Sequence, residues 1–201
     1  MVTVAWSPLL TSDREIAYDL HASAVQHPGW TRTNLVLTDW VWDPWTMRAL
    51  LVLAAFVLLR RGDRVTAVVV LAVTLTSSAV QQGLKAAVGR ERPRWPDPVD
   101  SAHYASFPSG HAMTAALACS LLLWLLLRAG VRGGWLAAAS AVALVSVAGV
   151  GFTRLYLGVH WLSDVLAGWL LGVALTALAA AVCLRWEAGE DGEETLLSAK
   201  G

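Results

Sequence analysis

His160 and Asp164 stand four residues apart, so on a helix they share one face. A carboxylate so placed can accept the proton of one imidazole nitrogen, fix the tautomer and leave the other nitrogen free to attack an electrophile. Upstream, Pro108-Ser109-Gly110-His111 opens a long apolar run. Ser109 can cap a helix there, and Gly110 lets the backbone come close to a ligand. The free N–H groups and the dipole at that end favour an anion. His111 can then give a proton to a leaving oxygen. Lys85 and Arg92, with Arg90 and Arg94 beside them, add cations, as does Arg154 six residues before His160. A guanidinium matches two phosphate oxygens at once, whereas an ammonium acts as a point charge. Taken singly, each group has a plainer reading: a helix-capping pair, a helix start with an interfacial His, a basic patch flanking a membrane segment. Taken jointly they describe an anion site with an activated nucleophile.

The elements that must hold these groups are apolar and long. The 201-residue chain is 56% hydrophobic and 15% charged, with a mean hydropathy of +0.54; soluble domains carry about 25% charged residues. Net charge is zero, which gives no basic surface for nucleic acid. Cys119 and Cys183 both lie in apolar runs and read as small hydrophobes, with no metal-ligand spacing around them. His21, His27 and His103 stand singly in polar stretches and read as surface residues. The chain has 13 arginines but two lysines, and Lys200 lies in the tail. Lys85, the sole internal lysine, therefore marks a place where a compact ammonium is wanted.

Five apolar blocks are read at 45–59, 65–84, 112–127, 134–152 and 161–184. At roughly 16–24 residues and about 1.5 Å per residue they reach about 24–36 Å, against a bilayer core of ~30 Å. In lipid they must be helices, because open strands would leave backbone groups unpaired. The first block is short and extends into Trp40-Val41-Trp42, with Asp43-Pro44 as cap and first helical position. The turns at 60–64 and 128–132 are rich in Arg, which favours the cytoplasmic side. The alternate connections, 85–111 and 153–160, then share the opposite face, and the three motifs converge there. Residues 1–44 form an N-terminal interfacial segment, in which Ser12-Asp13-Arg14-Glu15 has capping-box spacing and Ile16, Leu20 and Ala24 follow at helical spacing. Residues 45–186 form the transmembrane domain, and the acidic 187–201 tail reads as disordered. The expected fold is thus an all-α, polytopic membrane helix bundle of about five transmembrane helices plus an N-terminal interfacial helix.

Lys85-x6-Arg92-Pro93, Pro108-Ser109-Gly110-His111 and Thr153-Arg154-x5-His160-x3-Asp164 together resemble the tripartite signature of the type 2 phosphatidic acid phosphatase superfamily, which includes membrane lipid phosphatases and soluble vanadium haloperoxidases. The resemblance covers residues 85–164 and agrees in order, spacing and residue type. It departs in Thr153, where the family usually has Ser, and in five spans where many members have six. It implies that His160 attacks phosphorus and forms a phosphohistidine, that Asp164 orients His160, and that His111 protonates the leaving oxygen. Lys85, Arg92, Arg154, Ser109 and Gly110 would hold the phosphoryl oxygens. No metal or other cofactor is expected, since cations and a helix N-terminus supply the electrostatics.

The function expected is an integral-membrane phosphatase of a lipid phosphate or diphosphate: undecaprenyl diphosphate first, then phosphatidic acid or phosphatidylglycerol phosphate. Its site would face the extracytoplasmic side of the cell membrane, with lipid as neighbour and substrate and no partner protein. The alternatives are a vanadate-dependent haloperoxidase-like enzyme, disfavoured by five lipid-length blocks, and a catalytically silent lipid-binding membrane protein.

Overall fold

The computed structural model describes residues 7–198, with side chains placed for 8–189. The elements are α1 (Ser7–Gln26), α2 (Pro28–Val36) running into a π-helical turn (Leu37–Val41), α3 (Pro44–Arg60), α4 (Arg64–Val88), α5 (Gly110–Arg128), α6 (Gly133–Tyr156) and α7 (Leu162–Ser198). Among the described residues five stretches are long and apolar enough to cross a bilayer: Pro28–Arg60, Arg64–Val88, Gly110–Arg128, Gly133–Tyr156 and Leu162–Gly189. The chain is an all-helical, multi-pass membrane bundle, as its apolar blocks predict. Leucines and valines such as Leu53, Val68, Leu75, Leu144 and Leu170 stay more than half exposed, which suits a surface bathed in lipid tails.

Helix α5 is the central post. It packs on α3, α4, α6 and, most extensively, α7. Leu117, Ala118 and Leu121 on α5 meet Leu51 and Ala55 of α3, Ala67 and Val70 of α4 and Ala179 of α7 in one buried cluster. The short turns and the site lie at opposite ends. Asp63 caps α4 by accepting from Thr66 N at 3.1 Å. Close by, Arg128 of α5 pairs with Glu187 of α7 at 2.5 Å and with Asp63 at 3.9 Å. At the other end α4 finishes, α5 begins, α6 finishes and α7 begins, so all three motifs share one face.

Several boundaries differ from the sequence reading. The first span starts at Pro28 because α2 buries polar side chains that hydropathy scores as loop. Thr31 Oγ1 donates to Ala24 O (2.6 Å) and Asn34 Nδ2 to Trp30 O (2.9 Å), so neither is left unpaired. Asp43 caps α3 as expected, accepting from Trp45 N (2.7 Å) and Thr46 N (3.3 Å). Helix α1 begins at Ser7, placing Ser12–Glu15 inside the helix and not at its start. Its fully buried stripe is Asp13, Ala17, His21 and Ala24; Ile16 and Leu20, read together with Ala24 from apolar spacing, are half-buried beside it and pack on the cluster of Ala112, Leu155 and Val165. His21, read as a surface residue, is buried and stacks on Trp95 with ring centroids 4.0 Å apart. Burial pushes its pKa down. Helix α7 carries helical backbone to Ser198, through most of the 187–201 stretch read as disordered. Residues 199–201, including Lys200, lie outside the described residues.

Candidate active site

The connection between α4 and α5 has no regular structure of its own, and the motif side chains stitch it in place. Lys85 Nζ donates to Ala105 O. Arg92 Nε donates to Tyr104 O (2.7 Å), and its Nη1 to Val159 O (2.6 Å). Ser106 N closes back on Arg90 O (2.8 Å), while Trp161 Nε1 and Trp95 Nε1 donate to Glu91 O (2.9 Å) and Gly158 O (2.8 Å). Ser109 N donates to Asp164 O at 3.0 Å, joining the start of α5 to the start of α7. The sequence-predicted residues thus meet around one cavity of about 450 Å³, lined by Lys85, Arg92, Gly110, His111, Arg154 and His160, among others.

His160 is 2% exposed and lies just before α7. Its Nε2 is 3.0 Å from Arg92 Nη1. A guanidinium can only donate, so Nε2 accepts and the ring proton sits on Nδ1. Nδ1 faces Asp164 Oδ2 and Ser106 Oγ, each at 3.4 Å. Asp164, fully buried, is satisfied on both oxygens. Oδ2 also accepts from Ser106 Oγ and from Trp161 N (3.0 Å), and Oδ1 accepts from Arg90 Nη1 (2.6 Å). The tautomer leaves Nε2 as the acceptor nitrogen, engaged by Arg92, and both residues line the cavity.

Burial, with Arg92 and Arg154 nearby, outweighs the Asp164 carboxylate and lowers the His160 pKa to about 3. The imidazole is therefore neutral across ordinary pH. Below its unfolded value of 6.5 the unfolded chain binds a proton that the folded site refuses. This term therefore removes stability as pH falls from about 6.5 toward 3, by up to about 1.4 kcal/mol per pH unit. Thermal unfolding of His160→Gln between pH 7 and 4 is expected to show a shallower acid loss than the parent; an identical slope would refute a neutral buried His160. Burial and the neighbouring Arg154 bring Arg92 down to about 10, so it stays charged at neutral pH.

Other residues are placed differently from the sequence reading. Arg154 belongs to the last turn of α6 and not to a loop, is 4% exposed, and pairs through Nη2 with Asp100 (3.5 Å) while Nη1 donates to Thr38 Oγ1 (3.1 Å). Its buried Nε has no protein partner, leaving a donor available to a phosphoryl oxygen. Thr153 turns its hydroxyl onto Val150 O (2.9 Å). Ser109 is fully buried and caps α5, accepting from Ala112 N at 3.4 Å. Gly110 lines the cavity beside Gln81, whose Nε2 would lie 2.5 Å from a Cβ there, so a larger residue would turn the Gln81 side chain aside. Arg90 clamps Asp164 and does not line the cavity, and Arg94 is 80% exposed, paired with Glu91.

Sequence reasoning missed Ser106, which has no motif spacing, and Asp13, the only carboxylate on the buried stripe of α1. It also missed Arg48, the charge that interrupts the first apolar block and lines the cavity. Among the described residues no three His, Cys, Asp or Glu side chains gather as a metal site.

Fold and site together define a polytopic α-helical membrane protein with a cationic, two-histidine pocket at one end of its bundle. The family model of the PAP2 superfamily matches residues 66–187, more than half of the chain, and the protein belongs to that superfamily. Over 67 residues it is 39% identical to an undecaprenyl-diphosphatase of Sulfolobus acidocaldarius, covering 33% of this chain and 28% of that one. Over 101 residues it is 34% identical to phosphatidylglycerophosphatase B of Bacillus subtilis, covering 50% and 49%. The matched stretches thus span half or less of these curated relatives. Among solved structures, Aquifex aeolicus LpxE superposes with a TM-score of 0.64 at 20% identity, covering 84% of this chain and 94% of that one. A transmembrane PAP2-type phosphatidylglycerolphosphate phosphatase of Bacillus subtilis gives 0.50 at 24%, covering 89% and 96%. At these identities the two structures speak to the fold alone.

Proposed function

We propose that the protein is a metal-independent phosphatase of membrane lipids, acting on a lipid phosphate or diphosphate, with undecaprenyl diphosphate as the leading substrate. The observation that supports the reading is the His160 arrangement: a cavity-lining imidazole with unprotonated Nε2 held by Arg92, which a phosphoryl group must displace, and its proton on the Asp164 side. His160 Nε2 forms a bond to phosphorus as the bond to the leaving oxygen breaks. That oxygen keeps the electron pair and takes a proton from His111. In the second step His111 removes a proton from water, whose oxygen displaces His160 and releases phosphate. Lys85, Arg92 and Arg154, with the α5 N-terminus that Ser109 caps at Gly110, hold the phosphoryl oxygens as charge builds on them. The Pro28–Gly189 bundle is the working domain, and lipid is both its neighbour and its source of substrate.

The end with Arg60, Arg61, Arg64, Arg128 and Arg132 favours the cytoplasm, so the site faces the extracytoplasmic side. That side suits a carrier lipid whose headgroup is released outside, which places a polyprenyl diphosphate ahead of phosphatidic acid and phosphatidylglycerol phosphate. The names of the curated relatives support the first and the last of these classes. Phosphate release by the purified protein in detergent, with EDTA, tests the reading on all three lipids and on a water-soluble phosphomonoester. Release in EDTA, fastest from undecaprenyl diphosphate, is the expected result. Release only after a divalent metal is added would sink the metal-free mechanism, and a different ranking would reassign the substrate.

A further inference from the structure

Asp13 lies on α1, outside the 66–187 stretch that the family model matches, yet it reaches the groups that surround Asp164. It is 1% exposed. Its Oδ2 accepts from Arg90 Nη2 (2.7 Å) and from Ser163 Oγ (2.6 Å), and its Oδ1 accepts from Ser163 N (2.8 Å). Ser163 is the second residue of α7, so this carboxylate from another helix satisfies one of the free N–H groups in α7's first turn. Arg90 is a fork between two carboxylates. One nitrogen goes to Asp13; the other goes to Asp164 Oδ1 (2.6 Å) and Ser163 Oγ (2.7 Å). The guanidinium also lies over the Trp161 ring, 5.6 Å from its centroid.

From these contacts we infer that Asp13 is a positioning residue for the nucleophile, acting through Arg90 and Ser163 on Asp164 and thence on His160. The inference rests on the phosphatase reading above. The chain of contacts has a physical purpose. With Asp13 sharing Arg90, Asp164 is oriented through Oδ1 without being the sole counter-ion of a full positive charge, and Oδ2 stays turned toward Ser106, Trp161 N and His160. Without Asp13 the guanidinium has one carboxylate left and draws it away from the imidazole. The α7 N-terminus, which carries both Asp164 and the His160 approach, also loses its tie to α1. A buried carboxylate of this kind is a poor choice for holding a peripheral helix, which apolar contacts such as those of Ala17 and Ala24 already do.

The test measures kcat and KM for lipid phosphate hydrolysis by Asp13→Asn and Arg90→Lys, each alone and combined with Asp164→Asn. Asp13→Asn keeps the shape and removes the charge. Arg90→Lys keeps a charge but replaces the fork of Nη1 and Nη2 with a single nitrogen, and it covers the case in which the first variant does not fold. Either single change is expected to lower kcat by about 10- to 100-fold, the scale of a misplaced reacting group, with KM within about twofold. In the Asp164→Asn background the same changes are expected to add less than about threefold, because the path to His160 is already cut. Equal losses in both backgrounds, or a loss in KM alone, would make Asp13 a packing residue and overturn the inference. An active parent with unaffected Asp13→Asn and Arg90→Lys would also overturn it. An inactive parent would instead remove the phosphatase reading, and the positioning role with it.

Discussion

His160→Ala is expected to lower kcat for lipid phosphate hydrolysis by on the order of 10⁴-fold or more, in a protein that still folds. The size follows from what the side chain supplies. It is the proposed nucleophile, it lines the cavity, and its tautomer is set by its neighbours: Arg92 donates to Nε2 at 3.0 Å, and Nδ1 faces Asp164. In the proposed mechanism, removing it takes away the atom that bonds to phosphorus, not merely one of several charges around it. The fold survives because the surrounding polar groups keep other partners. Arg92 retains Val159 O and Tyr104 O, and Asp164 retains Arg90, Ser106 and the Trp161 N–H. Single-turnover labelling with a ³²P-lipid, quenched in base, should trap phosphate on the parent and none on the variant. Full activity in His160→Ala would pass the nucleophile's role to His111, the other imidazole of the three motifs that lines the same cavity.

The second large effect falls on the bundle. A Cβ on Gly172 of α7 would lie 2.6 Å from Met113 O and 2.8 Å from Leu117 N, and one on Gly168 would lie 2.7 Å from Ser109 O and 3.0 Å from Met113 N. The atoms in the way are α5 backbone, which cannot turn aside as a flexible side chain can. Small residues four apart allow this close approach, and in lipid such packing replaces the hydrophobic drive between helices. Gly172→Val is therefore expected to cost about 3 kcal/mol or more, a fall in Tm of roughly 6–12 °C or a failure to accumulate. Gly83→Ala, where a Cβ meets nothing within 4 Å, is the control and should leave Tm unchanged or slightly raised. A Tm for Gly172→Val equal to the parent's would show that the α5–α7 contact is looser than described. Because Ser109 N also donates to Asp164 O at 3.0 Å, Gly168 couples this packing directly to the site.

Spacing and hydropathy were enough to read the spans and the motifs. A helix in lipid must satisfy its backbone internally, so apolar run length alone marks α3 to α7. His160 and Asp164 share a face by helical period, and Ser109 and Asp43 are caps by residue type and position. These are local consequences of the covalent order. Polar residues buried by packing escape that logic: Thr31 and Asn34 hide the upstream half of the first span from hydropathy, and His21 reads as a surface residue although Trp95 covers it.

The rest was settled by elements far apart in sequence. Arg90 looks like Arg92 and Arg94 in a basic run, yet it turns from the cavity to clamp Asp164, 74 residues away. Ser106 carries no motif signal and reaches Asp164 only because the connection before α5 folds over α7. Asp13 joins the site across 150 residues through Ser163. The chain order names which groups can do chemistry, because protonation and nucleophilicity belong to residue types. Which nitrogen bears the proton, and which cations meet the carboxylate and which the cavity, depends on distances of about 3 Å. At that scale only the packing of α1, α4, α5 and α7 against one another decides.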